Sequence, residues 1–223
     1  MVKAVIFDLD GTLLNTLGDL TAAVNFALAQ RKHPLRSEEE VRSFVGSGVK
    51  VLMERSLPSG TGEDEAELCL NLFREYYLTH MNVETRPYPG TIELLEELQV
   101  KGIACAVVSN KLHEAVCRLC NEYFCNCLSE CFGMSCAEER KPSPANVFKA
   151  LVALEASPDE ALYVGDSGTD VQTAANAGIR FIGVSWGFRS RDELEAAGTE
   201  RIICKPEQLM DEIRAFDIDN QTF

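Results

Sequence analysis

The chain has 223 residues, 46% apolar and 25% charged, and 35 acidic against 21 basic side chains give a formal net charge of −14. That composition describes a globular chain long enough to bury a substantial core without disulfide or metal staples. The acidic excess, with no basic stripe, argues against nucleic acid and membrane surfaces as partners, and no apolar run approaches the roughly 18 residues of a bilayer span.

The first predicted element is a strand over Val2 to Phe7, with no basic and apolar leader ahead of it, so a cytoplasmic protein is expected. Residues 17 to 82 then carry helical patterns: Leu17, Leu20, Val24, Leu28; Val41, Phe44, Val45; Val49, Leu52, Met53; and Leu68, Leu72, Tyr76. Pro58 to Gly62 breaks this stretch, the acids Glu63 to Glu67 suit the first turn of a helix, and Arg86-Pro87-Tyr88-Pro89-Gly90 reads as a stiff return. Beyond it, Thr91 to Lys101 is a helix closed by Gly102 and Ile103 to Val108 is a strand. Ala161 to Gly165 is a further strand, Thr169 to Ala177 a helix closed by Gly178, and Phe181 to Val184 a strand. Strands alternating with helices imply an α/β fold with a Rossmann-like parallel sheet, interrupted by an all-helical insert. The expected organisation is a core from residues 1–14 and 85–223 and a helical unit over 15–84.

Ligands of parallel sheets gather beyond the carboxyl ends of the strands, and the first strand ends there in Asp8-Leu9-Asp10-Gly11-Thr12. Residues two apart point the same way, so Asp8 and Asp10 converge while Leu9 turns inward. Two neighbouring carboxylates repel unless a cation binds them or one is protonated. Gly11 allows close backbone approach, and the turn amides with the Thr12 hydroxyl are candidates to hold phosphate oxygens. The second strand ends in Ser109, Asn110 and Lys111, and Lys141-Pro142-Ser143-Pro144 precedes a later helix. Ser109 and Lys141 each suit a phosphate oxygen, though singly they also read as a turn residue and a surface charge; Asn110 is a further binding candidate. Gly165-Asp166-Ser167-Gly168-Thr169-Asp170 adds a second acid pair. Asp166 is a natural metal ligand, while Asp170 suits binding through water, orientation of Lys141, or a plain first-turn acid.

These four strand ends, in this order and spacing, resemble the motifs of the haloacid dehalogenase superfamily of aspartate-nucleophile hydrolases over essentially the whole chain. Phe44-Val45-Gly46-Ser47-Gly48-Val49-Lys50, Tyr88-Pro89-Gly90 and Val184-Ser185-Trp186-Gly187 are similar to its phosphoglycolate phosphatase branch. The resemblance implies that Asp8 attacks phosphorus, that Asp10 first protonates the leaving group and then deprotonates water, and that Ser109 and Lys141 cradle the phosphate. It also implies magnesium held by Asp8, the Asp10 carbonyl and Asp166, with Asp170 a fourth candidate. The insert takes the position of a helical cap, in which Gly46, Ser47 and Lys50 are the candidate substrate readers. An acid at position 10 favours a phosphatase over dehalogenase and phosphonate-cleaving relatives. A sugar phosphomutase or pyrophosphatase of the same fold shares these residues. An aspartate-phosphorylated signalling domain also combines acids, a hydroxyl and a lysine, but the helical insert and the Asp-x-Asp-Gly-Thr spacing speak against it. The expected partner is a small phosphorylated metabolite, and both monomer and homodimer stay open.

Of nine cysteines, Cys117, Cys120, Cys125, Cys127, Cys131 and Cys136 lie close together. The odd total and absent leader predict reduced thiols. Helical spacing of Cys117 and Cys120 beside Val116 and Leu119 favours small buried hydrophobes over a metal or redox cluster. His33, His80 and His113 are far apart and suggest no site.

Overall fold

The computed structural model describes residues 1–219. Its strands are β1 (Ala4–Phe7), β2 (Leu14–Asn15), β3 (Arg86–Pro87), β4 (Ala104–Leu112), β5 (Glu130–Met134), β6 (Ala161–Gly165), β7 (Arg180–Val184) and β8 (Ile202–Ile203). Six of them form one sheet in the order β5-β4-β1-β6-β7-β8, with parallel neighbours throughout. From β1 the chain builds outward to β4 and β5 on one side, then to β6, β7 and β8 on the other. The strand order thus reverses beside β1, which is where such sheets open a crevice.

Side-chain alternation along β1 feeds two cores. Val5 and Phe7 pack with Leu94, Leu95 and Leu98 of α5 (Thr91–Val100) and with Leu119 of α6 (His113–Phe124). Ala4 and Ile6 pack on the opposite face with Val147 and Leu151 of α7 (Ala145–Ala153) and Ala174 of α8 (Gly168–Ala177). Helices α9 (Arg191–Ala196) and α10 (Leu209–Asp219) complete the surround. No helix among the described residues is long and apolar enough to cross a membrane.

Helices α1 (Leu17–Gln30), α2 (Glu38–Phe44), α3 (Val49–Ser56) and α4 (Glu63–His80) occupy the stretch read as helical. The stripe expected on α4 is out of phase: Leu68 is exposed, Leu72 and Tyr76 are half-buried, and Cys69, Leu70, Phe73 and Tyr77 are the buried row. Apolar residues lie on adjacent rows of this helix, and packing decides between them. Tyr76 instead stacks on Phe26 of α1, ring centroids 4.3 Å apart. The two connections to the helices run side by side, β2 pairing with β3 in antiparallel fashion. Asp19, in the first turn of α1, braces this ribbon by accepting the N–H groups of Glu84 and Thr85 and the Thr85 hydroxyl at 2.7–2.9 Å.

Besides the short β2 and β3, two strands of the six-stranded sheet are absent from the pattern reading. β5 reads Glu-Cys-Phe-Gly-Met and β8 is two residues long, so both are strands because a neighbouring edge accepts them. β4 also runs past Val108, through buried Ser109, Asn110 and Lys111 to Leu112. The nine cysteines are free thiols. Cys120 is buried on α6, while half-buried Cys117 faces Cys131 of β5 with the sulfurs 3.3 Å apart. Hydrogen bonds from the Cys120 and Cys117 thiols hold the Cys131 thiol below its usual range.

Candidate active site

β1 delivers Asp8 to the sheet edge because its N–H continues the ladder to Val164 at 2.9 Å. The next residues close a tight turn: Leu9 O accepts the N–H groups of Thr12, Leu13 and Leu14, and the Gly11 N–H bonds to Leu14 O. The amides of Gly11 and Thr12 are therefore spent inside the turn and are not available for the phosphate-holding role expected of them. The Thr12 hydroxyl is buried without a hydrogen-bond partner among the described residues, and neither residue lines the cavity described below. Gly11 instead makes room. Its φ is +87°, and a Cβ there would overlap the Asp166 carboxylate.

A small cavity opens over this edge, lined by Asp8, Asp10, Ser109, Lys111, Lys141 and Asp166 together with Gly46, Val49 and Leu52 from the helical insert. Lys141, with a side chain 2% exposed, sits 2.9 Å from Asp8 and 2.6 Å from Asp170. Its ammonium also donates to Val108 O and the Tyr163 hydroxyl. Burial opposes its charge, but Asp170 and Asp8 outweigh that and hold it well above the usual lysine range. Burial raises the Asp8 carboxyl to about 7, repulsion from Asp170 adding to the rise and Lys141 opposing it. Asp166 is pushed well above the carboxylate range by burial and then by Asp170 and Asp8.

These shifts describe buried acids short of positive charge. Asp8, Asp166 and Asp170 each offer an oxygen, and the three lie within 4.8 Å of one another. An all-oxygen, acidic set of this kind fits a hard divalent cation such as magnesium. The three are not equivalent. Asp170 is committed on both oxygens, Oδ1 to Lys141 and Tyr163 and Oδ2 to the Ser167 hydroxyl and N–H, in a capping box at the start of α8. Of the roles left open for Asp170, its contacts serve two, orientation of Lys141 through Oδ1 and the first-turn acid of α8 through Oδ2. Asp8 Oδ1 accepts the Leu9 N–H and Asp166 Oδ2 the Phe188 N–H, so each has a second oxygen to offer a cation.

The Asp10 side chain turns to other partners. Its oxygens take Lys111 Nζ at 2.8 and 3.0 Å, and Oδ1 also takes the Thr16 hydroxyl at 2.7 Å. Asn110 is engaged as well: Oδ1 accepts the Lys141 N–H, and Nδ2 donates to the carbonyls of Lys141 and Gly46. It thus fixes the lysine loop and ties β4 to the insert, rather than presenting a free amide. Of the expected reading element, Gly46 lines the cavity but Ser47 and Lys50 do not. Lys50 is on the outer face of α3, its side chain 69% exposed opposite Glu54. Lys111, Tyr163 and Arg189 had no assigned role in the sequence. The only local signal for Lys111 is its place directly after a buried strand run.

The insert and the core also grip one another beside the cavity. Arg42 of α2 donates to the carbonyls of Gly187 and Phe188, and Arg189 donates back to those of Arg42, Ser43 and Val45, at 2.6–3.3 Å.

Fold and site together place a cluster of acids around a buried lysine at the carboxyl edge of an α/β sheet. A family model described as haloacid dehalogenase-like hydrolase matches residues 5–184, and the chain belongs to that family. It is 36% identical over 196 residues to phosphoglycolate phosphatase 1 of Pseudomonas aeruginosa, covering 83% of this chain and 70% of the relative. It is 33% identical over 193 residues to phosphoglycolate phosphatase of Aquifex aeolicus, covering 84% and 86%. A crystal structure from Lactobacillus delbrueckii subsp. bulgaricus, provisionally assigned as a phosphoglycolate phosphatase, superposes with a TM-score of 0.90 at 35% identity, over 95% of this chain and 98% of that one.

Proposed function

We infer that this hydrolase is a magnesium-dependent phosphatase of small phosphate monoesters of the phosphoglycolate type, working through a phosphorylated Asp8. The observation that carries this reading is Asp8 itself, buried at the end of β1, held by Lys141 at 2.9 Å, and lining one cavity with Ser109, Asp10 and Asp166.

An Asp8 oxygen attacks phosphorus as the bond to the ester oxygen breaks, and Asp10 gives that oxygen its proton. In the second half, Asp10 takes a proton from water, the water oxygen attacks phosphorus, and the bond to Asp8 breaks to release phosphate and restore the carboxylate. Ser109 and Lys141 hold the non-bridging oxygens, and Asp170 keeps Lys141 charged and aimed. Asp8, Asp166 and the Asp10 carbonyl would hold magnesium, which when bound supplies the positive charge that lets an anionic nucleophile meet an anionic ester. The helices over residues 15–84 act as a cap that closes on the β2–β3 ribbon and excludes bulk water while Asp8 is phosphorylated.

Phosphate release from 2-phosphoglycolate, with saturating magnesium and with EDTA, tests the reading. Wild-type protein should turn over only with the metal, and Asp8→Asn should lose at least about a thousandfold in kcat. Turnover retained by Asp8→Asn would remove Asp8 as nucleophile.

A further inference from the structure

We propose that Lys111 is the residue that selects the substrate, by pairing with a carboxylate carried on the carbon next to the phosphate ester oxygen, and that Asp10 is its counter-ion until substrate arrives. This rests on the phosphatase reading above and names the group that decides which esters are taken.

Lys111 continues β4 into the cavity, with a side chain 2% exposed. Its ammonium meets both oxygens of Asp10 at 2.8 and 3.0 Å and lies 4.7 Å from the centre of the Tyr77 ring on α4. The other cations on the cavity wall already have partners or another task. Lys141 binds Asp8 and Asp170, and the Arg189 guanidinium spans three backbone carbonyls. Lys50, the reader expected from the sequence, is outside the cavity.

Asp10 cannot serve the ester oxygen above Asp8 while both its oxygens are held by Lys111. As it leaves it takes up from solvent the proton that it then gives to the ester oxygen, and it strands a buried ammonium; an unpaired buried charge is strongly unfavourable. A substrate that brings its own carboxylate to Lys111 compensates that charge when Asp10 departs; an ester of a neutral alcohol does not. Discrimination therefore arises from an exchange of partners at one ammonium, and it favours small acids because the wall of Val49, Leu52 and Leu20 is apolar and offers nothing to a polyhydroxylated tail.

The test compares kcat/KM for 2-phosphoglycolate and its neutral isostere, 2-phosphoglycolamide, with magnesium saturating. Wild-type protein should prefer the acid by about a hundredfold, Lys111→Met should cut that ratio at least about tenfold, and Lys111→Arg should recover part of it. The wild-type comparison stands whether or not the methionine variant folds. A wild-type ratio near one overturns the proposal, as does an equal loss on both esters in Lys111→Met. Wild-type protein inactive on both esters refutes the phosphatase reading itself and this inference with it, whereas good but undiscriminating hydrolysis refutes the inference alone.

Discussion

Replacing Asp8 by asparagine should stabilise the metal-free protein at neutral pH. The folded protein holds the Asp8 carboxyl at about 7 against an ordinary 3.8, chiefly through burial, with Asp170 adding to the rise. Between those two values the folded state keeps a proton that the unfolded chain has released, so stability falls as pH rises through that window. Below it the group is protonated in both states and contributes nothing; above it the whole penalty is present. The difference corresponds to on the order of 4 kcal/mol, or about 10 °C in melting temperature for a chain of this size. Asparagine has no charge to bury and leaves Lys141 its bond to Asp170. Thermal unfolding of both proteins in EDTA, from about pH 4 to about pH 8, should show the wild-type melting temperature dropping by about 10 °C relative to the variant. Saturating magnesium should remove most of that drop by supplying the missing positive charge. Curves that run parallel across the range would show that Asp8 is not a charge under burial stress, and the account of the acid cluster would be wrong.

The reciprocal bonds of Arg42 and Arg189 hold the insert against the loop after β7, so Arg42→Ala should lower kcat/KM about tenfold, as expected for two lost charge-assisted hydrogen bonds; steady-state kinetics that match wild type would uncouple this grip from catalysis. Gly11→Ala forces a methyl group against Asp166 at a positive φ, and should weaken magnesium activation at least about tenfold. Gly60, with φ +84° and nothing near its Cβ position, is the matched control: Gly60→Ala should cost about 1 kcal/mol of stability and leave magnesium titrations of activity unchanged. Equal effects of the two alanines on magnesium dependence would mean that backbone strain, not the approach to Asp166, is responsible.

Positions on the core strands were readable where the polypeptide is regular. Asp8 and Asp166 stand just beyond the ends of β1 and β6 and Ser109 lies in the last stretch of the adjacent β4, and each follows an apolar run that marks the edge. Tyr163 and Lys111 were not readable, because each has an ordinary place in a strand and an unusual partner. Lys111 meets Asp10 across 101 positions of chain, and Tyr163 meets Lys141 across 22. The position of Lys50 was not readable for a similar reason. A lysine two residues beyond the Gly46-Ser47-Gly48 turn stands out in one dimension, yet α3 turns its ammonium to solvent.

The sequence by itself therefore determined which chemical groups stand at the carboxyl edge of the sheet, since strand direction and side-chain alternation are local properties of a few residues. Only the tertiary structure decided which acid is paired with which cation. Lys141 spans Asp8 and Asp170, while Lys111 takes Asp10. In a buried cavity the energy of a charge is set by its few nearest neighbours and by the absence of water, and those neighbours come from strands and helices that only the folded topology brings together.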